Sequence, residues 1–252
     1  MSRRATYRFS LIIPAHNEQD YLPVLLDTVE TARLNYRGGR NAIEVIVVNN
    51  ASTDRTTEIA NTHGCLLVHE EKRVIAAVRN AGAAASKGVI LTFVDADSQI
   101  HPNTFNAIDR AILNNRVIAG STGVSMERVS LGIVMAYMVM APLTWITGMD
   151  TGVVFCRRND FMAIGGYNEE KLFAEDVDFL WRLRRRGRPR GQKLTRVTST
   201  KAVTSTRKFD QHGDWHYFSL IAYAVYGMCF SSKSVENFAK KYWYGDRNRD
   251  KG

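Results

Sequence analysis

Cysteine, proline and long apolar runs are scarce in this sequence. Its three cysteines, among 252 residues, are widely spaced and never form a Cys-x-x-Cys pair. This scarcity disfavours a disulfide framework and a thiolate zinc site, and it indicates a reducing cytosol. The apolar residues 9–13 behind the basic N-terminus are too few for a secretory signal, and they run directly into Pro14. The sequence therefore predicts a cytoplasmic protein.

The overall composition is that of a globular protein, but the charge is uneven. Hydrophobic residues make up 45% and charged residues 23% of the chain, which disfavours a disordered or low-complexity protein. The net charge is +9, and from Arg182 onward 17 Lys and Arg face only 5 Asp and Glu. This basic segment indicates an anionic partner, which could be a phosphate-bearing substrate, an anionic membrane surface or a nucleic acid.

Short apolar runs alternate with helix-like segments through the first half of the chain. The pattern predicts strands at residues 9–14, 43–48, 66–68 and 89–94, with Pro14 ending the first, and helices between them. Such alternation predicts an α/β fold: a Rossmann-like, mostly parallel sheet with helices on both faces. The carboxyl ends of the strands then meet at one edge, which is where open sheets bind ligands. Asn17, Asn50 and Asp95 fall at these ends.

The second half is less regular and contains two apolar segments, residues 131–147 and 217–230. The first is uncharged but interrupted by Pro142, and both are short for a spanning helix. They could pack inside the protein, form a homodimer interface or lie peripherally on the cytoplasmic face of a membrane. We expect a catalytic domain at residues 1–200 and, packed on it, a basic and apolar helical appendage at 201–252.

Two pairs of carboxylates could carry chemistry. Asp95 and Asp97 directly follow the fourth predicted strand, where they could bind Mg²⁺ or Mn²⁺ or, alternatively, form a turn that caps the next helix. Glu175 and Asp176 begin a helix containing Phe179. They could stabilise the helix dipole, or one of them could be a general base.

Several short motifs occur together in a recognisable order. The motifs are Pro14-Ala-His-Asn-Glu, Asn49-Asn-Ala-Ser-Thr-Asp, Arg79-Asn-Ala-Gly, Asp95-Ala-Asp97, Gly165-Gly-Tyr-Asn-Glu and Glu175-Asp176. With these motifs the chain resembles the inverting family 2 glycosyltransferases, which have the GT-A fold, over roughly residues 8–190.

This resemblance implies a role for each matching residue. It implies that Asn50 faces the nucleobase, with Arg79 near Asn50, and that Asp95 lies near the ribose and the metal. The loop after the first strand lines the same nucleotide pocket with Pro14, Ala15, Asn17 and Glu18. The resemblance also implies that Asp97 is the metal ligand, that Asp176 is the catalytic base with Glu175 beside it, and that Arg207 and Lys208 close over the diphosphate.

Two departures from the family pattern bear on the donor. The family commonly has an acidic pair where this chain has Asn49 and Asn50, which leaves the identity of the nucleobase open. The family also has a glycine-rich stretch near Val74, which this chain lacks, so we expect more helix there.

The resemblance implies transfer of a sugar from a nucleotide-diphosphate donor, with a UDP-sugar favoured, to a hydroxyl acceptor of unknown identity. A nucleotidyltransferase is the alternative enzyme. Such an enzyme is expected to have a glycine-rich loop with a lysine after the first strand, and Pro14-Ala-His-Asn-Glu is not such a loop. A noncatalytic module that binds nucleic acid or an anionic surface is the other alternative. The basic run at residues 184–190 lacks interleaved aromatic residues, so no nucleic-acid partner is expected.

Overall fold

The computed structural model describes residues 7–128, 152–171 and 175–207, together with positions 130, 132, 134, 135, 138 and 213. The strands are β1 (Tyr7–Ala15), β2 (Ile43–Asn49), β3 (Leu66–His69), β4 (Gly88–Phe93), β5 (Ser98–Gln99), β6 (Val117–Met126), β7 (Val154–Arg157) and β8 (Lys193–Thr204). The helices in the continuous described ranges are α1 (Leu22–Leu34), α2 (Thr56–Thr62), α3 (Ile75–Ala85), α4 (Thr104–Leu113), α5 (Arg158–Ala163) and α6 (Glu175–Gly187).

All eight strands form one mixed sheet in the order β3-β2-β1-β4-β7-β6-β8-β5. The first four strands pair in parallel, as the alternating pattern predicts. The other half of the sheet is mixed: β6 pairs with β8 in parallel, whereas β7 is antiparallel to both β4 and β6, and β5 is antiparallel to β8. This half corresponds to the part of the sequence without regular alternation.

Helices cover both faces of the sheet, as predicted. Neighbouring residues of β1 point to opposite faces and pack against different helices. Leu11 packs with the apolar stripes of α1 and α4 in one buried cluster. Ile12 packs in a second cluster with residues of α3 and α6. The second cluster contains Phe179 and Tyr167, so the core of this face continues directly into the site described below.

The prediction that Pro14 ends the first strand is wrong, because β1 continues to Ala15 and Pro14 pairs with Val48 of β2. Val94 donates its backbone N–H to the carbonyl of Ile12, so the backbone polar groups of Ile12 point toward β4. Because this direction alternates along a strand, the backbone nitrogen of Pro14 also points toward the β4 side. The ladder with β4 ends at Ile12, so no bond is lost where proline lacks an N–H.

The C-terminal region is described only in part. Strand β8 runs to Thr204, past the boundary expected at residue 200, and the division into a domain and an appendage stays a prediction. Segment 217–230 and most of segment 131–147 lie outside the described residues. No helix in the described ranges has the length and apolar character needed to cross a bilayer.

Part of the basic run is bound within the chain. Arg186 and Arg190 both contact the carboxylate of Asp160, at 3.0 and 3.1 Å, and Asp160 itself is buried. Arg184 lies over the ring of Trp181, with 5.3 Å between its guanidinium carbon and the ring centroid. These arginines therefore have a structural role around the end of α6 as well as contributing charge.

Candidate active site

The loops after β1 and β2 are bonded to each other at the carboxyl edge of the sheet. The side chain of Asn17 accepts the backbone N–H of Thr53 at 2.9 Å, and the backbone N–H of Glu18 donates to Thr56 Oγ1 at 2.9 Å. Asn17 and Ala51 both adopt a positive φ, of 53° and 52°. Non-glycine residues occupy this region rarely, so the bonds between the loops hold a strained turn in place.

Asn50 is oriented by the surrounding backbone. Its amide nitrogen donates to the carbonyl oxygens of Glu70, at 2.5 Å, and Lys72, at 3.1 Å. Because both partners are acceptors, the amide nitrogen and oxygen are distinguished, and Oδ1 remains to accept a bond. The neighbouring Asn49 has a structural role, since its side chain accepts the Ser52 N–H and donates to Thr57.

His16, in the loop after β1, links the loop after β2 to the segment that precedes α3. Its Nδ1 lies 2.7 Å from the backbone oxygen of Asn50, and Arg73 Nη2 lies 2.8 Å from its Nε2. A carbonyl oxygen can only accept and a guanidinium can only donate. The partners therefore fix the neutral tautomer with the proton on Nδ1.

A buried arginine binds carboxylates from two distant parts of the chain. We call Arg79, Asp95, Tyr167, Glu175 and Asp176 the Arg79 cluster. Arg79 donates to Glu175 Oε1 at 2.9 Å and to Asp95 Oδ1 at 3.0 Å, and its Nη1 lies 3.0 Å from Asp176 Oδ1. The hydroxyl of Tyr167 donates to the same Asp176 oxygen at 3.0 Å. This geometry joins the strand-end aspartate to the first turn of α6.

Burial and charge set the proton affinity of Asp176. Burial is the largest influence and raises its pKa to about 6; Arg79 and the Tyr167 hydroxyl oppose the rise, whereas Glu175 and Asp95 add to it. Burial disfavours the charge on Arg79, but the surrounding acidic groups outweigh it and hold the pKa of Arg79 above its ordinary value. Asp176 is thus a carboxylate with the proton affinity suited to a general base near neutral pH.

A second arginine stands at the other strand-end aspartate. We call Glu18, Tyr21, Asp97 and Arg207 the Arg207 cluster. Arg207 donates two bonds to Glu18, of 2.7 and 2.8 Å, and its Nη2 lies 3.0 Å from Asp97 Oδ2. Its guanidinium carbon is 4.8 Å from the centroid of the Tyr21 ring. Arg207, three residues past the end of β8, is therefore bound to the loop after β1 and to the aspartate after β4.

The two strand-end aspartates are the candidate metal ligands. Among the residues that the structure describes, no group of three or more His, Cys, Asp or Glu is arranged to hold a metal ion. Two carboxylates nevertheless fit Mg²⁺ or Mn²⁺, because such ions take oxygen ligands and commonly complete their shell with substrate phosphates and water. Asp95 suits this role because its side chain is 56% exposed.

The structure brings most of the predicted residues together but changes the surroundings of one. Among the residues that the structure describes, the hydrogen bonds and ion pairs of Arg79 are made to Asp95, Glu175 and Asp176, and none is made to Asn50. Lys208 lies outside the described residues. Tyr167 was part of a motif in the sequence without a role, and its contact with Asp176 is visible only in three dimensions.

Carboxylates bound by two arginines thus lie at the carboxyl edge of the parallel strands, which is where open α/β sheets bind their ligands. A family model described as Glycosyl transferase family 2 matches residues 10–167, well over half of the chain. The chain therefore belongs to glycosyl transferase family 2. The putative glycosyltransferase EpsH of Bacillus subtilis (strain 168) is 28% identical over 99 residues, which cover 37% of this chain and 27% of that protein. The chain thus matches about a quarter of that relative's length.

Solved structures show the same fold. TarS 1–349 of S. aureus, in complex with UDP-GlcNAc, aligns with a TM-score of 0.61 at 17% identity, covering 79% of this chain and 59% of that one. The mannosyltransferase PcManGT from Pyrobaculum calidifontis, in complex with GDP-Man and Mn²⁺, aligns with a TM-score of 0.62 at 20% identity, covering 78% and 56%. The predicted GT-A fold is confirmed.

Proposed function

We propose that the chain is an inverting glycosyltransferase that moves a sugar from a nucleotide-diphosphate sugar to an acceptor hydroxyl. The observation that carries this proposal is Asp176, a carboxylate whose pKa is raised to about 6 and whose Oδ1 is contacted by Tyr167 and by Arg79, the arginine that also binds Asp95. Membership of the family supports glycosyl transfer over nucleotidyl transfer and over a noncatalytic binding module.

Asp176 acts as the general base in this proposal, with Glu175 beside it. It takes the proton from the acceptor hydroxyl, whose oxygen forms a bond to the anomeric carbon of the sugar. The bond from that carbon to the diphosphate oxygen breaks at the same time, and its electron pair leaves with the nucleoside diphosphate. One displacement of this kind inverts the anomeric configuration.

The donor diphosphate is bound on the Asp97 side of the site. Asp97 and Asp95 would hold Mn²⁺ or Mg²⁺, which supplies positive charge to the diphosphate as it departs. Arg207 bonds to Glu18 and contacts Asp97, so its guanidinium lies at this side of the site, where a phosphate would replace a carboxylate as its partner. Lys208, the next residue, is proposed to assist it.

The nucleotide lies along the loops after β1 and β2. Pro14, Ala15, Asn17 and Glu18 form its floor, and Asn50 Oδ1 is free to accept an N–H from the base, since its amide nitrogen is engaged by two backbone carbonyls. Uracil and guanine both offer such an N–H. We favour a UDP-sugar; the TarS structure contains UDP-GlcNAc and the PcManGT structure GDP-Man, so both bases belong in the test.

The setting of the reaction is also a proposal. We favour a cytoplasmic protein whose apolar segments, residues 131–147 and 217–230, form internal or homodimer contacts or lie on the membrane surface. Flotation with anionic liposomes and light scattering without detergent distinguish these outcomes. A dimer that ignores liposomes would exclude the membrane surface, whereas salt-sensitive flotation would support it.

Thermal stabilisation by nucleoside diphosphates tests the donor site most simply. UDP and GDP are each added with and without Mn²⁺, and a ligand at 100 times its Kd should add about 2.7 kcal/mol to the free energy of unfolding. We expect stabilisation by one of them to require the metal, with Zn²⁺ a poor substitute. Asp97→Ala should abolish the metal-dependent part, and retention of that part would refute the metal assignment.

A further inference from the structure

Tyr167 is positioned through its backbone, its ring and its hydroxyl. It follows Gly165 and Gly166, which have φ values of 74° and 71°, a region that side chains rarely adopt. A Cβ at Gly166 would also lie 2.6 Å from Asn80 Oδ1, so the turn needs glycine there. Gly165 and Gly166 therefore form the turn that places Tyr167 in the Arg79 cluster.

Asn80 holds the backbone of Tyr167 on both sides. The backbone N–H of Tyr167 donates to Asn80 Oδ1 at 2.8 Å, and Asn80 Nδ2 donates to the Tyr167 carbonyl oxygen at 3.0 Å. Asn80 is the residue after Arg79 in helix α3. Two neighbouring residues of α3 therefore serve the cluster: Arg79 binds its carboxylates, and Asn80 positions Tyr167.

The ring of Tyr167 is held by aromatic contacts on two sides. It stacks on Phe179 with 4.1 Å between ring centroids and an angle of 13° between the planes, and it meets Phe93 edge-on at 5.2 Å. Phe179 lies three residues after Asp176 on the same helix, so this helix carries both the aromatic partner of the Tyr167 ring and the carboxylate that its hydroxyl contacts.

The hydroxyl contact selects one oxygen of the carboxylate. Tyr167 Oη and Arg79 Nη1 both lie 3.0 Å from Asp176 Oδ1. In the described ranges no hydrogen bond is made to Oδ2. Two donors on Oδ1 lock the rotation of the carboxylate and leave Oδ2 as the oxygen that can accept a proton.

We propose that Tyr167 is a positioning residue that directs Oδ2 of Asp176 toward the acceptor hydroxyl, and that Asn80 in turn orients Tyr167. This inference rests on the proposed role of Asp176 as the base. It assigns no contact between Tyr167 and either substrate. Tyr167→Phe keeps the aromatic packing and removes only the donor, so it isolates the hydroxyl.

Tyr36→Phe is a matched control from elsewhere in the molecule. Tyr36 is also buried, and its hydroxyl donates to Asp109 Oδ2 at 2.8 Å, so its loss removes the same kind of bond. Tyr36 packs against Phe9 and Phe105 on the other face of the sheet. A general loss of stability would appear in both variants, whereas an effect on the base would appear in Tyr167→Phe alone.

The test measures release of nucleoside diphosphate from UDP-glucose and GDP-mannose with Mn²⁺, using water as the acceptor. Tyr167→Phe should lower kcat by on the order of tenfold or more, because a hydrogen bond to a charged group is lost, while KM for the donor and stabilisation by the nucleoside diphosphate stay unchanged. Tyr36→Phe should keep the wild-type kcat. An unchanged kcat in Tyr167→Phe, or a change in KM alone, would overturn the inference.

Failure of the proposed function would look different. The unmodified protein would then bind neither nucleoside diphosphate and release none from either sugar donor. A carboxyl ¹³C titration of Asp176, assigned with Asp176→Asn, remains informative in that case, since loss of the Tyr167 donor should move the titration to higher pH. A titration identical in Tyr167→Phe and the unmodified protein would contradict the contact itself.

Discussion

The Arg79 and Arg207 clusters both pair an arginine with acidic side chains, but they are built differently. Arg79 projects from the middle of a packed helix and its side chain is 6% exposed, whereas Arg207 follows the end of a strand and is 16% exposed. Arg79 bonds to carboxylates from the end of β4 and the start of α6, and Arg207 bonds to the loops after β1 and β4. A buried, helix-borne arginine is suited to permanent positioning, and a strand-end arginine to exchange of partners.

This difference assigns the two clusters to different halves of the reaction. The Arg79 cluster contains the proposed base, and the bonds that form it join residues of this chain. The Arg207 cluster places a guanidinium against Asp97, which is proposed to bind the metal and the donor. We therefore expect loss of Arg79 to act on folding and on the chemical step, and loss of Arg207 to act on donor affinity.

The largest expected effect comes from removing the base. Asp176→Asn cannot accept a proton and should lower turnover by about 10²–10⁴-fold, while the nucleoside diphosphate still stabilises the protein. Release of nucleoside diphosphate in single turnover measures this directly. Asp178→Asn is the control, because Asp178 lies on the same helix and pairs instead with Arg182 at 2.7 Å. Equal losses in both variants would argue for damage to the helix rather than loss of a base.

The two arginines should differ in what their removal costs the fold. Arg79→Met removes a buried guanidinium and leaves Glu175 and Asp176, each with a side chain 16% exposed, without their cation, which should cost about 3–5 kcal/mol of the free energy of unfolding. Arg207→Met loses hydrogen bonds at a more exposed place and should cost less, about 1–3 kcal/mol. Urea unfolding of both variants gives the comparison. Equal costs would remove the distinction between a positioning and an exchanging arginine.

Donor affinity should depend on the geometry of the Arg207 guanidinium as well as on its charge. Arg207→Lys keeps the charge but loses the two-pronged contact, and it should weaken nucleoside diphosphate binding in Mn²⁺ by roughly tenfold. Arg55→Lys serves as the control, since Arg55 makes two bonds to Glu58 on an exposed helix end. Calorimetric titration measures both affinities. An Arg207→Lys variant that binds as tightly as the unmodified protein would remove Arg207 from the diphosphate site.

A further prediction tests the departure at Asn50. Asn50→Asp introduces the acidic residue common in the family, but here it would place a carboxylate oxygen against the carbonyls of Glu70 and Lys72. We expect a loss of about 1–3 kcal/mol in stability, without tighter binding of UDP. Thermal unfolding with and without UDP measures both quantities. A more stable variant that binds UDP better would show that this loop rearranges to the family pattern.

The sequence predicted the parallel half of the sheet because alternating apolar runs and helix signals are local. It also placed Asp95 at a strand end, since strand ends follow from the same pattern. It could not predict that Arg79 joins Asp95 to Glu175, because the bond to Glu175 spans 96 positions in the chain. The bond between Arg207 and Glu18 spans 189. Such partnerships depend on how elements pack, and Pro14 was misjudged for the same reason, since the extent of the neighbouring strand decides whether a missing N–H matters.

The pH dependence of kcat/KM tests the central claim most directly, because this quantity reports the ionisation of the free enzyme. Asp176 must be unprotonated to accept a proton, and its pKa is raised to about 6. With UDP-glucose or GDP-mannose and Mn²⁺, kcat/KM should be level above pH 7 and fall by about tenfold between pH 7 and pH 5. A kcat/KM at pH 5 equal to that at pH 7, in a protein that remains folded and binds the donor, would contradict the assignment of Asp176 as the base.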